Sequence, residues 1–371
     1  MRIALLTTAL ARGGAESQVA QLAAGLARSG EDVSIISLTE PEAFTRIAPV
    51  YSLHMRPGVA NPVALVRLAA LLRRLRPHVV HAHMFHANLM ARILRMIAPA
   101  PVICTLHSAA ESPRSGGGTR IRDFAYRITD PLAAVTVAVS HAVAERHAGA
   151  KAVRGGRMRV IPNGVDTSRF HPDPAARARV RHEMQLGNEF VWLAAGRLMW
   201  KKDYPTLLAA FAKTAGVLLI AGEGPLEAGL RAAAPPGVRF LGARDDMPAL
   251  MQAADAFVLS SVVEGLPMAL LEAAASGLPC VATDAGGVRE VIPATFLVPP
   301  SAPAALGDAM LFVMVMPEDE RRAVGDAMRA VVLAEHDLNA IVLRWLALYR
   351  EVAGETAEPP PEDTPLSRET G

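Results

Sequence analysis

Two glutamates flank a segment that combines a strand end, a loop and a helix start. Glu264 lies in the loop and Glu272 in the second helical turn, with seven residues between them. The apolar run 256–259 precedes the loop, and Pro267 fits the first helical position. Such a loop presents unpaired backbone amides that bind phosphate readily, whereas carboxylates suit sugar hydroxyls better than phosphate. From spacing alone, a sugar-nucleotide site and two solvated glutamates are equally good interpretations.

Two basic residues follow another apolar run. The run 191–195 is typical of a buried strand, and Arg197 and Lys202 lie in the loop after it. An arginine fork together with a lysine point charge is well suited to bind a diphosphate. The alternative, two surface cations without a ligand, is the weaker interpretation.

Glycines and a histidine mark two further strand ends. Gly13 and Gly14 follow the first apolar run and let a ligand approach the backbone at a helix start. The GxGxxG pattern of a dinucleotide site is missing there. His107 ends the run 102–106, where it is a candidate polar contact to a reacting sugar or a general base. An ordinary strand-end histidine is the alternative.

The order of apolar runs and helical patterns predicts an α/β protein. Short runs begin at residues 3, 33, 79, 102 and 135, and a second series begins at residue 191. Patterns of helical period separate most of them, as in a parallel sheet with helices on both faces. A chain of 371 residues suits two such domains. Ligands of these sheets gather at the carboxyl ends of the strands, where all the candidate residues fall.

The segment around the two glutamates resembles the E-x7-E motif of retaining GT-B glycosyltransferases of family 4. This family is also called the group 1 glycosyltransferases, and the resemblance is to members of bacterial envelope or exopolysaccharide type. Further resemblances follow in order along nearly the whole chain. They are Gly13–Glu16, Ile161–Asp166, Gly196–Lys202 and Gly286–Glu290. The resemblance implies a GT-B fold, that is, two doubly wound Rossmann-like domains facing each other across a cleft. We expect the acceptor-side domain at 1–163, the donor domain at 164–337, a returning helix at 338–354 and a disordered tail at 355–371.

The resemblance also implies a reaction, in which a hexose moves from a nucleotide-sugar donor to a hydroxyl with retention of configuration. Glu272 would bind the ribose, and Glu264 would orient the hexose or act as a nucleophile. The implied catalytic residues are His107 and Glu264, and the donor-binding residues are Gly14, Arg197, Lys202, Gly265, Leu266, Pro267, Met268 and Glu272. Asp203 departs from the glycine that the family often has after the lysine, which puts the local loop shape in question.

No metal or other cofactor is expected, because fixed cations can hold the diphosphate. His81 and His83 share a predicted strand face with His78 and His86 nearby, but no cysteine or carboxylate completes a ligand set. We expect His83 to face the acceptor side of the cleft. The segment 111–127, with three consecutive glycines and four arginines, is predicted to be a mobile basic loop on that side.

Two other functions remain open from the sequence. A sugar-nucleotide epimerase on the same fold would need acid and base groups on both sides of the sugar, and the sequence offers few beyond His107. A binding protein that senses a sugar nucleotide without turnover is the other. The sequence keeps a full set of candidate site residues, which argues against a protein that has lost its catalytic activity. They are Arg197, Lys202, Glu264 and Glu272.

Charge is distributed unevenly and bears on partners and location. Residues 1–170 contain 21 Lys and Arg against 10 Asp and Glu, although the whole chain has a net charge of +2. A basic half favours anionic partners, and we expect a lipid-linked or nascent glycan acceptor and peripheral contact with an anionic membrane. Few aromatics accompany the arginines, so nucleic acid is not expected.

The sequence predicts a cytoplasmic protein. Cys104 and Cys280 lie in apolar runs of different halves, which argues against a disulfide. The first 15 residues resemble a short signal peptide, but a strand at 3–7 followed by a glycine loop is the better interpretation.

Overall fold

The structure, a computed structural model, describes residues 1–354 except 12, 43–47, 57–61, 98–99, 109–115 and 155–156, with the backbone alone at 116–118. The tail predicted at 355–371 and the first part of the predicted basic loop lie outside the described residues. Among the described residues, no helix has the length and apolar character needed to cross a membrane.

The chain forms two parallel sheets, which confirms the predicted doubly wound α/β architecture. The strands of the first sheet are β1 Arg2–Thr7, β2 Asp32–Ser37, β3 Val50–Ser52, β4 Val79–His83, β5 Val102–Leu106, β6 Val135–Ala138 and β7 Met158–Val160. Those of the second are β8 Val191–Ala195, β9 Val217–Ala221, β10 Val238–Gly242, β11 Ala256–Leu259, β12 Cys280–Thr283 and β13 Leu297–Val298. We call the two sheets, with their helices, the first and second domains.

Helices connect the strands and cover both faces of each sheet. They are α1 Gly14–Arg28, α2 Pro62–Leu75, α3 Phe85–Leu94, α4 Gly116–Thr129, α5 His141–Gly149, α6 Pro174–Glu183, α7 Tyr204–Phe211, α8 Glu227–Ala233, α9 Met247–Ala253, α10 Met268–Ala275, α11 Pro303–Val315, α12 Glu318–Glu335 and α13 Leu338–Ala353.

Strand order explains where a ligand can bind. The first sheet has the order β3-β2-β1-β4-β5-β6-β7, and the second has β10-β9-β8-β11-β12-β13. The order therefore reverses between β1 and β4 and again between β8 and β11. Loops leave such a switch point in opposite directions and open a crevice at the carboxyl ends of the strands. The predicted strands are all present. The run 102–106, which is the fourth predicted strand, is the fifth in the chain because the short strand β3 precedes it.

Three edge strands, β3, β7 and β13, were not predicted. Each has only two or three residues, and most of their residues are half-buried or exposed. Alternation over so short a stretch carries no recognisable pattern.

The prediction of a basic loop at 111–127 is wrong for its described second part. Residues 116–129 form helix α4. The helix packs inward through Tyr126, which is 1% exposed. Its hydroxyl accepts from Asn88 Nδ2 at 3.2 Å, and the Arg92 guanidinium lies 5.0 Å from its ring centroid. This packing outweighs the loop preference of the glycines.

Helix α13 returns to the first domain and joins its core. Trp345, Leu348 and Tyr349 are buried in one cluster with strand β1 and helix α1. Where the chain crosses between domains, Val165 pairs with Asp337 in a parallel bridge. The Val165 amide donates to His336 O at 2.8 Å, so the two crossing segments support each other.

Candidate functional site

The loop between β11 and α10 lies at the switch point of the second sheet. Helix α10 begins at Met268, with Pro267 in the preceding N-cap position, one residue from the predicted start. As the first residues of a helix, Met268 and Ala269 have no intrahelical partner for their amides. The loop thus ends in free donors at the positive end of a helix dipole, which favours an anion.

Contacts from both domains hold this loop. Gly287 N donates to Gly265 O at 2.9 Å, and Asn163 Nδ2 donates to Leu266 O at 2.8 Å. On the other side, a Cβ on Gly265 would lie 2.1 Å from the carbonyl oxygen of His107 in the first domain. Only glycine allows so close an approach. Gly265 therefore brings the loop against the strand end that carries His107.

Lys202 and Glu264 form an ion pair within the second domain. Lys202 Nζ donates to Glu264 Oε1 at 2.6 Å, and their side chains are 18% and 13% exposed. The lysine stem crosses Gly196, where a Cβ would lie 3.0 Å from Lys202 Cε. A partly buried pair of this kind neutralises each partner and fixes both side chains at the carboxyl end of neighbouring strands.

Arg197 lies beside this pair but faces solvent. Its exposed side chain makes no hydrogen bond or ion pair with any residue that the structure describes. Across the cleft, burial raises the pKa of Glu16 and the positive charge of Arg197 opposes that shift. The guanidinium therefore lies near the start of α1 and is free to bind an anionic ligand between the domains.

Asp203 adopts the left-handed conformation, with φ 45° and ψ 46°. This explains the glycine common at this position in the family, since left-handed geometry costs a residue other than glycine about 1–2 kcal/mol. Aspartate tolerates the conformation better than most residues, and its carboxylate accepts from Thr206 Oγ1 at 2.8 Å and Ser301 Oγ at 3.0 Å. The loop therefore keeps its shape despite the substitution.

Glu272 lies in the second turn of α10 and is half-buried. Its carboxylate makes no hydrogen bond with the described residues. Burial raises its pKa to about 7, and the charge of Arg169 opposes the shift. An acceptor without a partner at the edge of a cleft can receive ligand hydroxyls. Sequence reasoning missed Arg169, which follows the Ile161–Asp166 motif, because nothing in that motif indicates a residue close to α10.

The first domain contributes Gly14 and His107 to the same cleft. A Cβ on Gly14 would lie 3.8 Å from Met268 Cγ, so the starts of α1 and α10 face each other. His107 is partly exposed, and burial lowers its pKa to about 4. The structure thus places the start of α1 and the strand end at His107 against the loop and helix start that carry Gly265 and Met268.

His83 is buried beneath His107 and is bonded to it. His83 Nδ1 and His107 Nε2 are 3.1 Å apart, while His83 Nε2 is buried without a partner among the described residues. Burial lowers the pKa of His83 well below its usual value, so the ring is neutral. His81 stacks on His83 at 3.9 Å between centroids and is bonded to Thr105 and Tyr349. Within the described part of the chain, no three His, Cys, Asp or Glu side chains form a metal-binding group.

Both halves of the chain match models of glycosyltransferase families. Residues 12–169 match the model described as Glycosyltransferase Family 4, and residues 189–315 match the one described as Glycosyl transferases group 1. Together the two matches cover more than three quarters of the chain.

Curated relatives match parts of the chain. It is 30% identical over 247 residues to the UDP-Gal:alpha-D-GlcNAc-diphosphoundecaprenol alpha-1,3-galactosyltransferase of Escherichia coli, over 60% of this chain and 62% of that enzyme. It is 36% identical over 154 residues to the GDP-mannose-dependent alpha-(1-6)-phosphatidylinositol monomannoside mannosyltransferase of Mycobacterium tuberculosis, over 36% of this chain and 40% of that enzyme. The chain therefore spans less than two thirds of the length of either relative.

Solved structures share the fold. Anabaena HepE in complex with UDP and glucose superimposes with a TM-score of 0.82, over 95% of this chain and 100% of that one, at 21% identity. An identity this low bears on the fold alone.

Proposed function

We propose that this chain, which belongs to the group 1 glycosyltransferases with the GT-B fold, transfers a hexose from a nucleotide-sugar donor to a hydroxyl with retention of anomeric configuration. The observation that carries this proposal is the convergence of exposed Arg197, the pair of Lys202 with Glu264, and the start of α10 at one switch point. Retention is inferred from the family resemblance.

The cations would act on the leaving group. Negative charge grows on the diphosphate as the glycosidic bond breaks, and donors already in place stabilise it without reorganising. These donors are Arg197, Lys202 and the backbone amides of Gly265, Leu266 and Met268. Because this positive charge is fixed in the protein, we propose that no metal cofactor is required.

The two glutamates would bind different parts of the donor. Glu272 is proposed to accept from the ribose hydroxyls, since its carboxylate has no hydrogen bond to the described residues. Glu264, held by Lys202 at 2.6 Å, is proposed to orient the hexose. A nucleophilic role for Glu264 is the second candidate, but an ion pair lowers the reactivity of a carboxylate.

His107 is proposed to donate a hydrogen bond to the sugar and not to act as a base. A buried N–H without an acceptor is rarer than a buried lone pair without a donor. His83 Nε2, which has no partner among the described residues, is therefore assigned the lone pair. His83 then donates from Nδ1 to His107 Nε2, and the proton of His107 lies on Nδ1. The acceptor proton would pass to the departing phosphate.

Donor and acceptor classes follow from the relatives' names. One relative uses UDP-Gal and the other GDP-mannose, so both nucleotides are candidates. We favour UDP, which is also the nucleotide bound in the HepE structure. Both relatives act on acceptors whose names include a lipid, which supports a lipid-linked or nascent surface glycan here. The enzyme would work in the cytoplasm, at the inner face of the membrane.

Binding of a nucleotide sugar is expected to weaken as the pH falls below about 7. Glu272 has a pKa of about 7 in the free protein and must be ionised to accept two hydroxyls. Between pH 8 and pH 6 the dissociation constant should rise about tenfold, because protonation then competes with the ligand. Calorimetry with a nucleotide sugar measures this without the terminal phosphate of a free nucleotide, which titrates near pH 6. Glu272→Gln should bind weakly at both pH values. If the dissociation constant of that variant still rises about tenfold between pH 8 and pH 6, the assignment is contradicted.

One assay separates the proposed function from its alternatives. The protein is incubated with labelled nucleotide sugars, with and without lipid-linked acceptors, and the products are separated. Transfer of label to the acceptor is expected. An epimerised nucleotide sugar would indicate an epimerase, and tight binding without any product would indicate a sensor.

A further inference from the structure

Glu290 of the second domain contacts a helix of the first domain. It ends the 3₁₀ helix Gly286–Glu290, which we call the capping turn, and its Oε1 accepts from the backbone amide of Ala142 at 3.2 Å. Ala142 is the second residue of α5, and the first amides of a helix have no intrahelical partner. A side chain of the opposite domain therefore satisfies a donor that the helix itself cannot.

The charge of Glu290 suits this position. A carboxylate at the start of a helix is attracted by the helix dipole, and its bond from an amide is stronger than one between neutral groups. The neighbouring Arg289 is paired elsewhere, since its Nε donates to Asp284 Oδ1 at 3.0 Å. Within the first domain, Ser140 Oγ accepts from Val143 N at 3.2 Å. The start of α5 thus takes one acceptor from each domain.

The capping turn also contacts the loop between β11 and α10. Gly287 N donates to Gly265 O at 2.9 Å, and a Cβ on Gly287 would lie 2.7 Å from the Cβ of Ser140. On its other side, Gly265 lies against the His107 carbonyl. The turn is therefore packed between the start of α5 and the loop that carries Glu264. A shift of the turn relative to α5 would move this loop relative to His107.

Among the described residues, hydrogen bonds join this part of the second domain to the first at two places. The first is the bond from Asn163 Nδ2 to Leu266 O, two residues before Val165, where the chain crosses between the domains. An attachment at the crossing alone leaves two domains free to rotate about it. The bond between Ala142 and Glu290 involves neither crossing segment, so it supplies the second point that fixes the angle.

We propose that Glu290 is a positioning residue, which holds the loop between β11 and α10 against the strand end of His107 by capping α5 across the cleft. In this role Glu290 binds neither donor nor acceptor. Its effect on the reaction passes through the relative position of Glu264 and His107, which belong to different domains. The positioning role rests on the proposed function, whereas the contact with α5 does not.

Three substitutions of Glu290 test the proposal through turnover. Glu290→Gln keeps an oxygen acceptor for the Ala142 amide, in a bond about half as strong. Glu290→Ala removes the acceptor, and Glu290→Arg places a cation at the positive end of the helix dipole. Turnover should be lowered least by Glu290→Gln and most by Glu290→Arg. Glu290→Ala should be about tenfold slower or more, because a misplacement of about 1 Å can cost about a hundredfold in rate.

A matched control and two further measurements separate positioning from general damage. Glu318→Ala removes a glutamate that pairs with Arg322 on α12, and it should transfer as the wild type does. Free nucleoside diphosphate should bind all Glu290 variants with wild-type affinity, because Arg197, Lys202 and Glu272 lie in the second domain, as Glu290 does. Hydrogen exchange of the segment 141–145 should be faster in Glu290→Ala, because an amide has lost its acceptor, and unchanged in Glu318→Ala.

Three results would overturn the proposal. Unchanged exchange in every Glu290 variant would show that the contact is absent in solution, and wild-type turnover in Glu290→Arg would show that the contact positions nothing. A loss of nucleotide affinity equal to the loss of turnover would assign Glu290 to the stability of the second domain. A wild type that transfers no sugar would contradict the proposed function, and the positioning role with it. That failure is distinguishable from the other three, in which the wild type is active.

Discussion

Arg197→Ala is expected to lower turnover about a hundredfold or more, and Lys202→Ala at least as much. Each change removes a cation from the position where diphosphate charge develops, and losing one such donor typically costs about 3–4 kcal/mol in the transition state. Arg197 is the cleaner test, because its exposed side chain has no partner among the described residues. Steady-state rates with a nucleotide sugar and an acceptor measure the effect.

A neighbouring cation makes this prediction specific. Lys201→Ala removes the lysine that lies over the Trp200 ring, and it should leave turnover nearly unchanged. Lys202→Ala also leaves Glu264 without its partner, which is a separate defect, so Arg197→Ala carries the test. Near-normal turnover in folded Arg197→Ala contradicts the leaving-group role.

Glu272→Gln is expected to weaken binding of a free nucleoside diphosphate, whereas Glu264→Gln should spare it and abolish most transfer. An ionised carboxylate that accepts from two hydroxyls contributes about 1.5–3 kcal/mol per charged hydrogen bond, so roughly a tenfold loss or more is expected for Glu272→Gln at pH 8. Glu264→Gln frees Lys202 for the diphosphate, so its nucleotide affinity should stay the same or rise. Calorimetric titration gives the affinities, and the transfer assay gives the rates.

Each of these variants serves as the control for the other. Both replace a glutamate by its isosteric amide, and the two positions are eight residues apart on one loop and helix. Equal weakening of nucleotide binding in the two variants would show that the roles are not separable. Normal transfer by Glu264→Gln would remove that residue from the reaction.

Buried strands and long helices were predictable from the sequence, and short or glycine-rich elements were not. The run 102–106 is apolar or β-branched throughout and forms β5, and the long helical pattern of Pro62–Leu75 forms α2. Helix α4 was missed because its first three residues are glycines, and its stability comes from the packing of Tyr126 on α3. That contact joins residues far apart in sequence and leaves no local pattern.

The candidate site was predictable to a similar degree. Strand ends showed which residues meet, since Arg197 and Glu264 follow neighbouring strands of the second sheet. The contact of Gly265 with the His107 carbonyl and the bond between His83 and His107 were not visible, because they depend on how two loops or strands approach each other. The environment of Glu272 was likewise hidden, since burial depends on the whole fold.

Proton NMR of the transfer reaction tests the central claim most directly. The protein is mixed with an α-linked nucleotide sugar and a lipid-linked or soluble acceptor, and the anomeric proton of the first-formed product is followed by its coupling constant. We predict a new α-glycoside that accumulates as free nucleoside diphosphate appears. Arg197→Ala should form both products much more slowly than the wild type. A β-glycoside would contradict retention, and an epimerised nucleotide sugar with no glycoside would contradict transfer itself.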